Sequence, residues 1–239
     1  LTATSQNVPD YVPTEGLVAW FNMDGEIVNE VNGSAGIGTG TIAAPDRNNV
    51  PGASLAFSNG AFGVLNNASI PTADITVTAW VNQSQSWSIG DGIEFICIGS
   101  PSSTTWGTIA GPEFIILNRG RGCSGGGEIL TDYNFPLNEW VHLAYVSGGL
   151  GMPTDIYING MYQGQSLNNS AGTCDASNLY FGVDIFSAPE HIEGGLDDIG
   201  IWNGALTEEE ILALFNAELP TPGCTDATAC NFDAEATSD

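Results

Sequence analysis

Apolar and polar residues alternate in several short segments of this chain, most regularly from Ile75 to Val81. In this segment one face would consist of Ile75, Val77, Ala79 and Val81, and the other of Thr76, Thr78 and Trp80. A period of two is typical of a β-strand with each face in a different environment. We therefore predict a central strand here.

Similar short segments, bounded by turn residues, predict further strands along the chain. They are Leu17–Phe21, a short strand near Thr41–Ile42, Ala53–Phe57, Ala61–Leu65, Glu94–Ile98, Glu113–Leu117, Trp140–Val146, Thr154–Ile158, Leu179–Val183 and Gly195–Trp202. Asn59-Gly60 and Asn159-Gly160 are strong hairpin-turn signals. The remainder of the Gly/Asn-rich stretch 26–50 is predicted to be loop.

One segment has helical rather than strand periodicity. Thr207 followed by three glutamates predicts an N-cap with a capping box, because the acids lie at the positive end of the helix dipole. The apolar side of this helix is predicted to consist of Ile211, Leu212, Leu214 and Phe215. Pro and Gly then mark a linker. The pattern divides the chain into an extended segment 1–15, a strand-rich domain 16–218, and a linker with a small Cys-bearing segment at 219–239.

Composition agrees with an all-β fold. The chain has 239 residues, 42% of them hydrophobic, with 31 glycines and 12 prolines. Many short strands joined by turns suit that composition. Trp20, Trp80, Trp140 and Trp202 are predicted to help form the core. No apolar stretch approaches the length of a membrane span.

The charge balance excludes one class of partner and suggests another. Twenty-eight acidic residues face three arginines and no lysine, giving a formal net charge of −25. Nucleic-acid binding is excluded because phosphate contacts need a basic patch. Carboxylates at this density repel one another, so bound cations or salt are expected to stabilise the fold.

The five cysteines show no CxxC pair, which argues against zinc and redox motifs. Cys123 and Cys174 lie in Gly/Ser/Asn-rich loops, where a disulfide is plausible on composition. Cys97, between two isoleucines, is predicted to be a buried thiol.

Several segments, in this order, resemble the laminin-G-like, pentraxin-related domains of the concanavalin A-like superfamily. They are GLVAWFNMDG at 16–25, PDRNNVPGASLAFSNGAF at 45–62, ITVTAWVN at 75–82, EWVHLAYVSGG at 139–149, DIYINGMYQG at 155–164, LYFGVD at 179–184 and GGLDDIGIWNGALTEEEILALF at 194–215. The resemblance implies a jelly-roll β-sandwich of two antiparallel sheets with one short C-terminal helix.

The tail GCTDATACNFDAEATSD resembles a short Cys-bearing repeat of Bacteroidetes-type surface proteins. It implies a larger parent chain with neighbouring domains, located outside the cell as a secreted or surface protein. Cys224 and Cys230 are then expected to pair with each other or with a cysteine of a further segment.

Calcium is the cofactor that the residues and the resemblance favour, because it binds carboxylate and carbonyl oxygens of Gly/Asn/Asp-rich loops. In such a fold Asp24, after the first strand, is expected near the acids of the closing strand, Asp197 and Asp198. Only one of these neighbours should point inward, and the parity of Ile199 and Ile201 favours Asp197. The remaining predicted ligands are Glu30 and the carbonyl groups of Asn32 and Gly33.

A ligand would be recognised by exposed aromatic and polar side chains in variable loops, where a sugar stacks on a ring and its hydroxyls need hydrogen bonds. Such residues could equally cover the edge of the sandwich. The candidates are Trp87, Trp106, Tyr133, Arg119 and Arg121.

No catalytic constellation stands out. Glu190-His191-Ile192-Glu193 lacks paired acids at alternate strand positions, and Glu94 and Glu113 have no spacing that brings them together. His142 and His191 are interpreted as structural or solvated. The predicted function is a non-catalytic, calcium-stabilised extracellular module that binds polysaccharide or protein. The alternatives are a calcium-rigidified spacer of a surface filament and a divergent glycoside hydrolase.

Overall fold

The computed structural model describes residues 7–71, 74–85, 95–100, 103–111, 114–119, 133, 135–147, 153–165, 177–184 and 190–217. For residues 100, 103–111, 114–119, 184 and 190 it describes the backbone only. The predicted disulfide cysteines Cys123, Cys174, Cys224 and Cys230 all lie outside these residues.

The strands of this part of the chain follow one another with few interruptions. They are β1 (Leu17–Phe21), β2 (Val28–Asn29), β3 (Ser34–Ala35), β4 (Ile37–Thr39), β5 (Ile42–Ala44), β6 (Ser54–Phe57), β7 (Phe62–Asn66), β8 (Ile75–Gln83), β9 (Ile96–Ser100), β10 (Ser103–Gly111), β11 (Phe114–Arg119), β12 (Trp140–Ser147), β13 (Thr154–Ile158), β14 (Met161–Gln165), β15 (Asn178–Phe181), β16 (Val183–Asp184), β17 (Glu190–His191) and β18 (Gly194–Asn203). One helix, α1 (Glu208–Asn216), follows β18.

Two antiparallel sheets form a jelly-roll sandwich, which confirms the predicted fold class. The larger sheet has the order β14-β13-β12-β8-β18-β6-β5, and β1 also pairs with β18. The smaller sheet has the order β11-β10-β9-β15-β7-β4. Strands distant in sequence are therefore neighbours, as in other jelly rolls.

The core lies between the two sheets. The inner face of β8 contributes Ile75, Val77, Ala79 and Val81, as the alternation predicts. The smaller sheet contributes apolar side chains such as Ile98, Leu179 and Phe181. Cys97 of β9 is buried, as predicted.

Helix α1 covers the outer face of the larger sheet. Its capping box is confirmed: the Thr207 hydroxyl accepts from the Glu210 backbone N–H at 3.2 Å, and the Glu210 carboxylate accepts from the Thr207 N–H at 2.8 Å. Ile211 and Leu214 are buried in a cluster with Trp20 and Trp202. These contacts attach the helix to the sheet.

Three predictions about individual elements are wrong. Leu212 is 45% exposed rather than part of the buried helix face, because α1 rests on the sheet along Ile211, Leu214 and Phe215. Trp140 is only half-buried. The stretch 26–50 contains four short strands, β2 to β5, instead of one, since backbone pairing forms there without the alternation that marks a strand. Strand β10, which was not predicted, also lacks apolar alternation.

The described part of the N-terminal segment, residues 7–15, packs on the sandwich. Val12 is buried in the outer cluster, and Tyr11 makes an edge contact with Trp20. The indole N–H of Trp202 donates to the Pro13 carbonyl at 2.7 Å. Within the described residues, no helix is long and apolar enough to cross a membrane.

Candidate functional site

A polar pocket opens beside the end of β1 and the middle of β18. Its volume is about 560 Å³. It is lined by Asn7, Pro9, Asn22, Asp24, Asp46, Asn48, Val50, Ala53, Asp197 and Asp198. Concave sites with convergent polar groups are the usual location of small-ligand binding.

The wall of this polar pocket opposite β18 is the loop between β5 and β6. Asp46 shapes the loop, because one carboxylate oxygen accepts the backbone N–H groups of Asn48 at 2.9 Å and Val50 at 2.7 Å. Such side-chain turns fix the backbone without regular secondary structure. On the other side, the Asn22 amide donates to the Asn7 carbonyl at 3.2 Å, which attaches the N-terminal segment to the pocket.

Arg47 joins the loop to β18 through two ion pairs. Its two terminal nitrogens donate to Asp197 and Asp198, each at 2.8 Å. The side chains of the three residues are only 4%, 4% and 11% exposed, in that order. The guanidinium carbon lies 4.7 Å from the centre of the Trp80 ring, a cation–π geometry. We call these four residues the Arg47 clamp.

A β-bulge brings both aspartates to the same arginine. In the pairing of β18 with β8, Asp197 lies opposite Trp80 and Gly200 lies opposite Thr78, so two residues of β18 face one of β8. Asp198 has a φ of +42°, in the left-handed region. Strand alternation is interrupted there, and neighbouring side chains reach one guanidinium.

The parity prediction for Asp197 is therefore wrong. Leu196, Ile199 and Ile201 belong to the core between the sheets. Asp197 lies opposite Trp80, whose ring stacks on Phe215 of α1 on the outer face of the sheet. Because the bulge intervenes, counting by two from Ile199 assigns Asp197 to the wrong face.

Burial dominates the electrostatics of the clamp. It raises the pKa of Asp197, the neighbouring Asp198 carboxylate raises it further, and Arg47 opposes both effects. A carboxylate in such surroundings depends on a nearby cation to stay ionised. Arg47 supplies that cation from within the chain.

His142 lies next to the clamp on β12. Its ring is tilted against Trp80 at a centroid distance of 5.3 Å and against Phe215 at 6.2 Å. Burial, with a smaller contribution from Arg47, lowers the pKa of His142 to about 3. The imidazole is thus neutral over the physiological range, consistent with the structural role predicted for it.

The predicted calcium ligands separate into two groups. Asp24, Asp197 and Asp198 line the polar pocket. Glu30, Asn32 and Gly33 do not line it: the Glu30 N–H bonds to the Trp20 carbonyl, and Asn32 and Gly33 form the turn between β2 and β3.

The donor chemistry of the pocket fits calcium on one side only. Asp24, Asp46, Asn22 and Asn48 line that side and carry hard oxygen atoms, although the Asn22 oxygen accepts from the Trp20 indole N–H and one Asp46 oxygen accepts two backbone N–H groups. Asp197 and Asp198 are already bound by Arg47. No three acidic, His or Cys side chains of the described residues converge as a metal site, so neutral oxygens would have to complete any coordination shell.

The structure describes only some of the predicted ligand-binding residues. Tyr133 is partly buried against the core and makes an edge contact with Phe135. Its pKa is raised, first by burial and then by Glu139. Trp106 of β10 lies opposite Arg119 of β11 in the backbone register. Trp87 and Arg121 fall outside the described residues, and the ligand role of all five stays a prediction.

Sequence reasoning did not single out Arg47, Asp46 or Asn48 as site residues. A usable signal was present: an arginine in a chain with 28 acidic residues is expected to pair with carboxylates, and Asp-Arg-Asn-Asn is a turn-forming run. Which carboxylates it meets depends on the pairing of β18 with β6 and β8. No sequence spacing contains that information.

The carboxylates considered for catalysis do not form a described pair. Glu94 and Glu113 lie outside the described residues. The Glu193 carboxylate accepts the Asn59 backbone N–H at 2.8 Å, and His191 contacts the Ala61 carbonyl at 3.3 Å. Both residues therefore have local structural partners.

Solved structures with the same fold include sugar-binding proteins. Domain 4 of AbnA, an extracellular arabinanase of Geobacillus stearothermophilus solved with arabinotriose, is 19% identical with a TM-score of 0.65, over 83% of this chain and 97% of that domain. The Trypanosoma rangeli sialidase is 18% identical with a TM-score of 0.63, over 90% of this chain and 36% of the sialidase.

A structure of botulinum neurotoxin type C, a toxin whose cell entry is described as dependent upon interaction with two ganglioside molecules, is 15% identical with a TM-score of 0.64. The match covers 84% of this chain and 51% of the toxin chain. The present chain thus spans about a third of the length of the sialidase and about half of the length of the toxin chain. A comparison with curated protein sequences finds no significant match.

The family assignment rests on the sequence as well as the fold. The Laminin_G_3 family model, described as concanavalin A-like lectin/glucanases superfamily, matches residues 57–212. This range runs from the end of β6 into α1 and includes both aspartates of the clamp. The chain therefore belongs to the laminin G-like family of the concanavalin A-like lectin/glucanases superfamily.

Proposed function

We propose that this domain is a non-catalytic extracellular module that binds a saccharide in the polar pocket. The observation that carries the proposal is the concentration of Asp and Asn side chains around one cavity of about 560 Å³. Sugar hydroxyls both donate and accept hydrogen bonds, so carboxylate acceptors next to amide groups suit them.

Two further points support this proposal. The Arg47 clamp and the Asp46 turn hold the pocket wall in place, which reduces the entropy lost on binding. The arabinanase domain is described in complex with arabinotriose, and the type C neurotoxin is described as interacting with two ganglioside molecules. Fold likeness alone leaves the sugar open, because such sandwiches host unrelated functions.

Calorimetric titration with arabinotriose and with a panel of soluble neutral and acidic oligosaccharides tests the proposal. We expect at least one ligand to bind, and Asp24→Ala and Asn48→Ala to weaken it roughly tenfold or more, about 1.4 kcal/mol each. Glu209→Ala removes one exposed carboxylate of α1 that does not line the pocket and should leave the affinity unchanged. Pocket variants that bind as well as the wild type would refute the assignment.

We also propose that calcium binds on the Asp24 side of the polar pocket. Asp24 and Asp46, completed by amide and backbone oxygens, provide the donor chemistry that calcium prefers. The net charge of −25 favours binding of a divalent cation at any such site. The clamp is not part of this proposed site, because Arg47 already binds both Asp197 and Asp198.

Thermal unfolding with excess EDTA and with millimolar calcium tests this site. A metal bound only by the native state raises the midpoint by mass action, by several degrees when calcium is about a hundredfold above its Kd. Asp24→Asn should abolish the shift, whereas Glu209→Gln should retain it. No shift in the wild type would exclude a stabilising calcium ion, and a shift that survives Asp24→Asn would place it elsewhere.

A further inference from the structure

Strands β4 and β5 form one lateral edge of the sandwich. In the described part of the chain β4 pairs only with β7, and β5 pairs only with β6. Both pairings run without a register shift. Strand β4 is an edge strand of the smaller sheet, and β5 is an edge strand of the larger sheet. Because only two residues connect them, these two edges lie on the same side of the sandwich.

This edge exposes apolar side chains. Ile37 of β4 and Ile42 of β5 are each 64% exposed, at the upper end of the range for large apolar residues in the described chain. Nearly all residues of the two strands are exposed. An exposed edge with apolar side chains is able to pair with a further strand.

The edge also carries no charge. Residues 31–45 contain no Asp, Glu, Lys or Arg, although the chain has a net charge of −25. Proteins commonly protect sheet edges with charged side chains, prolines within the strand or bulges. Neither β4 nor β5 contains a charged residue or a proline. We call the surface formed by β4 and β5 the uncharged edge.

We propose that the uncharged edge pairs with the same edge of a second copy of this chain. A basic partner would be attracted to the acidic surfaces and gain nothing from an uncharged strip. An acidic partner is repelled by the charged surfaces and can approach closely at an uncharged strip. Strand β14 is a second uncharged edge, but its pairing with β13 contains a register shift, which the pairings of β4 and β5 lack. A second copy is such a partner, and antiparallel pairing of identical edges gives a closed two-fold dimer.

Sedimentation velocity of the wild-type chain over a range of concentrations and salt tests the proposal. We expect mostly monomer at low salt, and a concentration-dependent increase toward twice the monomer mass at about 0.5 M NaCl, where the repulsion of the acidic surfaces is screened. Association that weakens with salt, or a monomer under every condition, would overturn the proposal.

Matched charge substitutions locate the interface. Ile42→Glu and Ile37→Glu place a carboxylate on the edge and should abolish the dimer. Met161→Glu adds the same charge at an equally exposed position, 64%, on β14 at the opposite edge of the larger sheet, and should leave the dimer intact. Circular dichroism confirms that each variant is folded. Equal loss of association in all three variants would show a general charge effect and contradict pairing through the uncharged edge.

Discussion

Arg47→Met is expected to lower the free energy of unfolding by about 3–5 kcal/mol, the usual cost of breaking a buried ion pair by removing one partner. The substitution leaves Asp197 and Asp198 side by side, with side chains 4% and 11% exposed and no guanidinium between them. Methionine approximates the length of the aliphatic stem and retains contact with Trp80. The loss therefore comes chiefly from the two buried carboxylates, which are left either charged without a partner or protonated at a cost in free energy, and not from a cavity.

Urea unfolding of a set of variants measures this effect. Asp197→Asn and Asp198→Asn introduced together with Arg47→Met should recover a large part of the lost stability, because the carboxylate charges are then absent as well. The contribution of the Arg47 ion pairs to the free energy of unfolding should depend little on salt, since buried pairs are weakly screened. A loss below about 1 kcal/mol for Arg47→Met would show that the clamp behaves like a surface salt bridge.

Lowering the pH from about 6.5 to 3 is expected to destabilise the protein through His142 by about 4–5 kcal/mol in total. Burial, and secondarily Arg47, lowers the pKa of His142 in the folded state from 6.5 to about 3. The unfolded chain therefore binds a proton in this interval that the folded chain does not. This contribution to stability is complete above pH 6.5 and is lost as the pH falls toward 3.

The carboxylates titrate in the same interval, so a matched variant isolates the histidine. His142→Phe retains a flat ring against Trp80 and Phe215 but has no titratable group. The unfolding free energy is measured at pH 7, 6, 5 and 4. As the pH is lowered it should fall more steeply for the wild type than for the variant, because the wild type takes up as much as one additional proton on unfolding. Parallel curves for the two proteins would mean that His142 is not protonated on unfolding in this range.

Local sequence patterns predicted much of the architecture. Alternation from Ile75 to Val81 and the capping box at Thr207 were both confirmed, because each depends on residues close in sequence. Short Gly-rich strands such as β3 and β4 could not be found in the same way. They are held by backbone pairing with partners elsewhere in the sheet and need no apolar alternation.

The candidate site was only partly accessible to sequence reasoning. Asp24, Asp197 and Asp198 were predicted to lie together, and they line one polar pocket. The rule that strand side chains alternate between faces gave the wrong face for Asp197, because the bulge at Asp198 adds a residue and no local sequence pattern predicts it. Three of the predicted calcium ligands lie outside the pocket, since the turn between β2 and β3 is stabilised by its own hydrogen bonds.

The sequence by itself determined the all-β class, the inner and outer faces of the regular strands, the helix boundary and the acidic character of the surface. These features follow from side-chain periodicity and composition, which act over a few residues or over the chain as a whole. Only the tertiary structure decided that Arg47 meets two aspartates 150 and 151 positions away. That pairing depends on sheet topology and a bulge, and it determines which carboxylates of the polar pocket form ion pairs with Arg47.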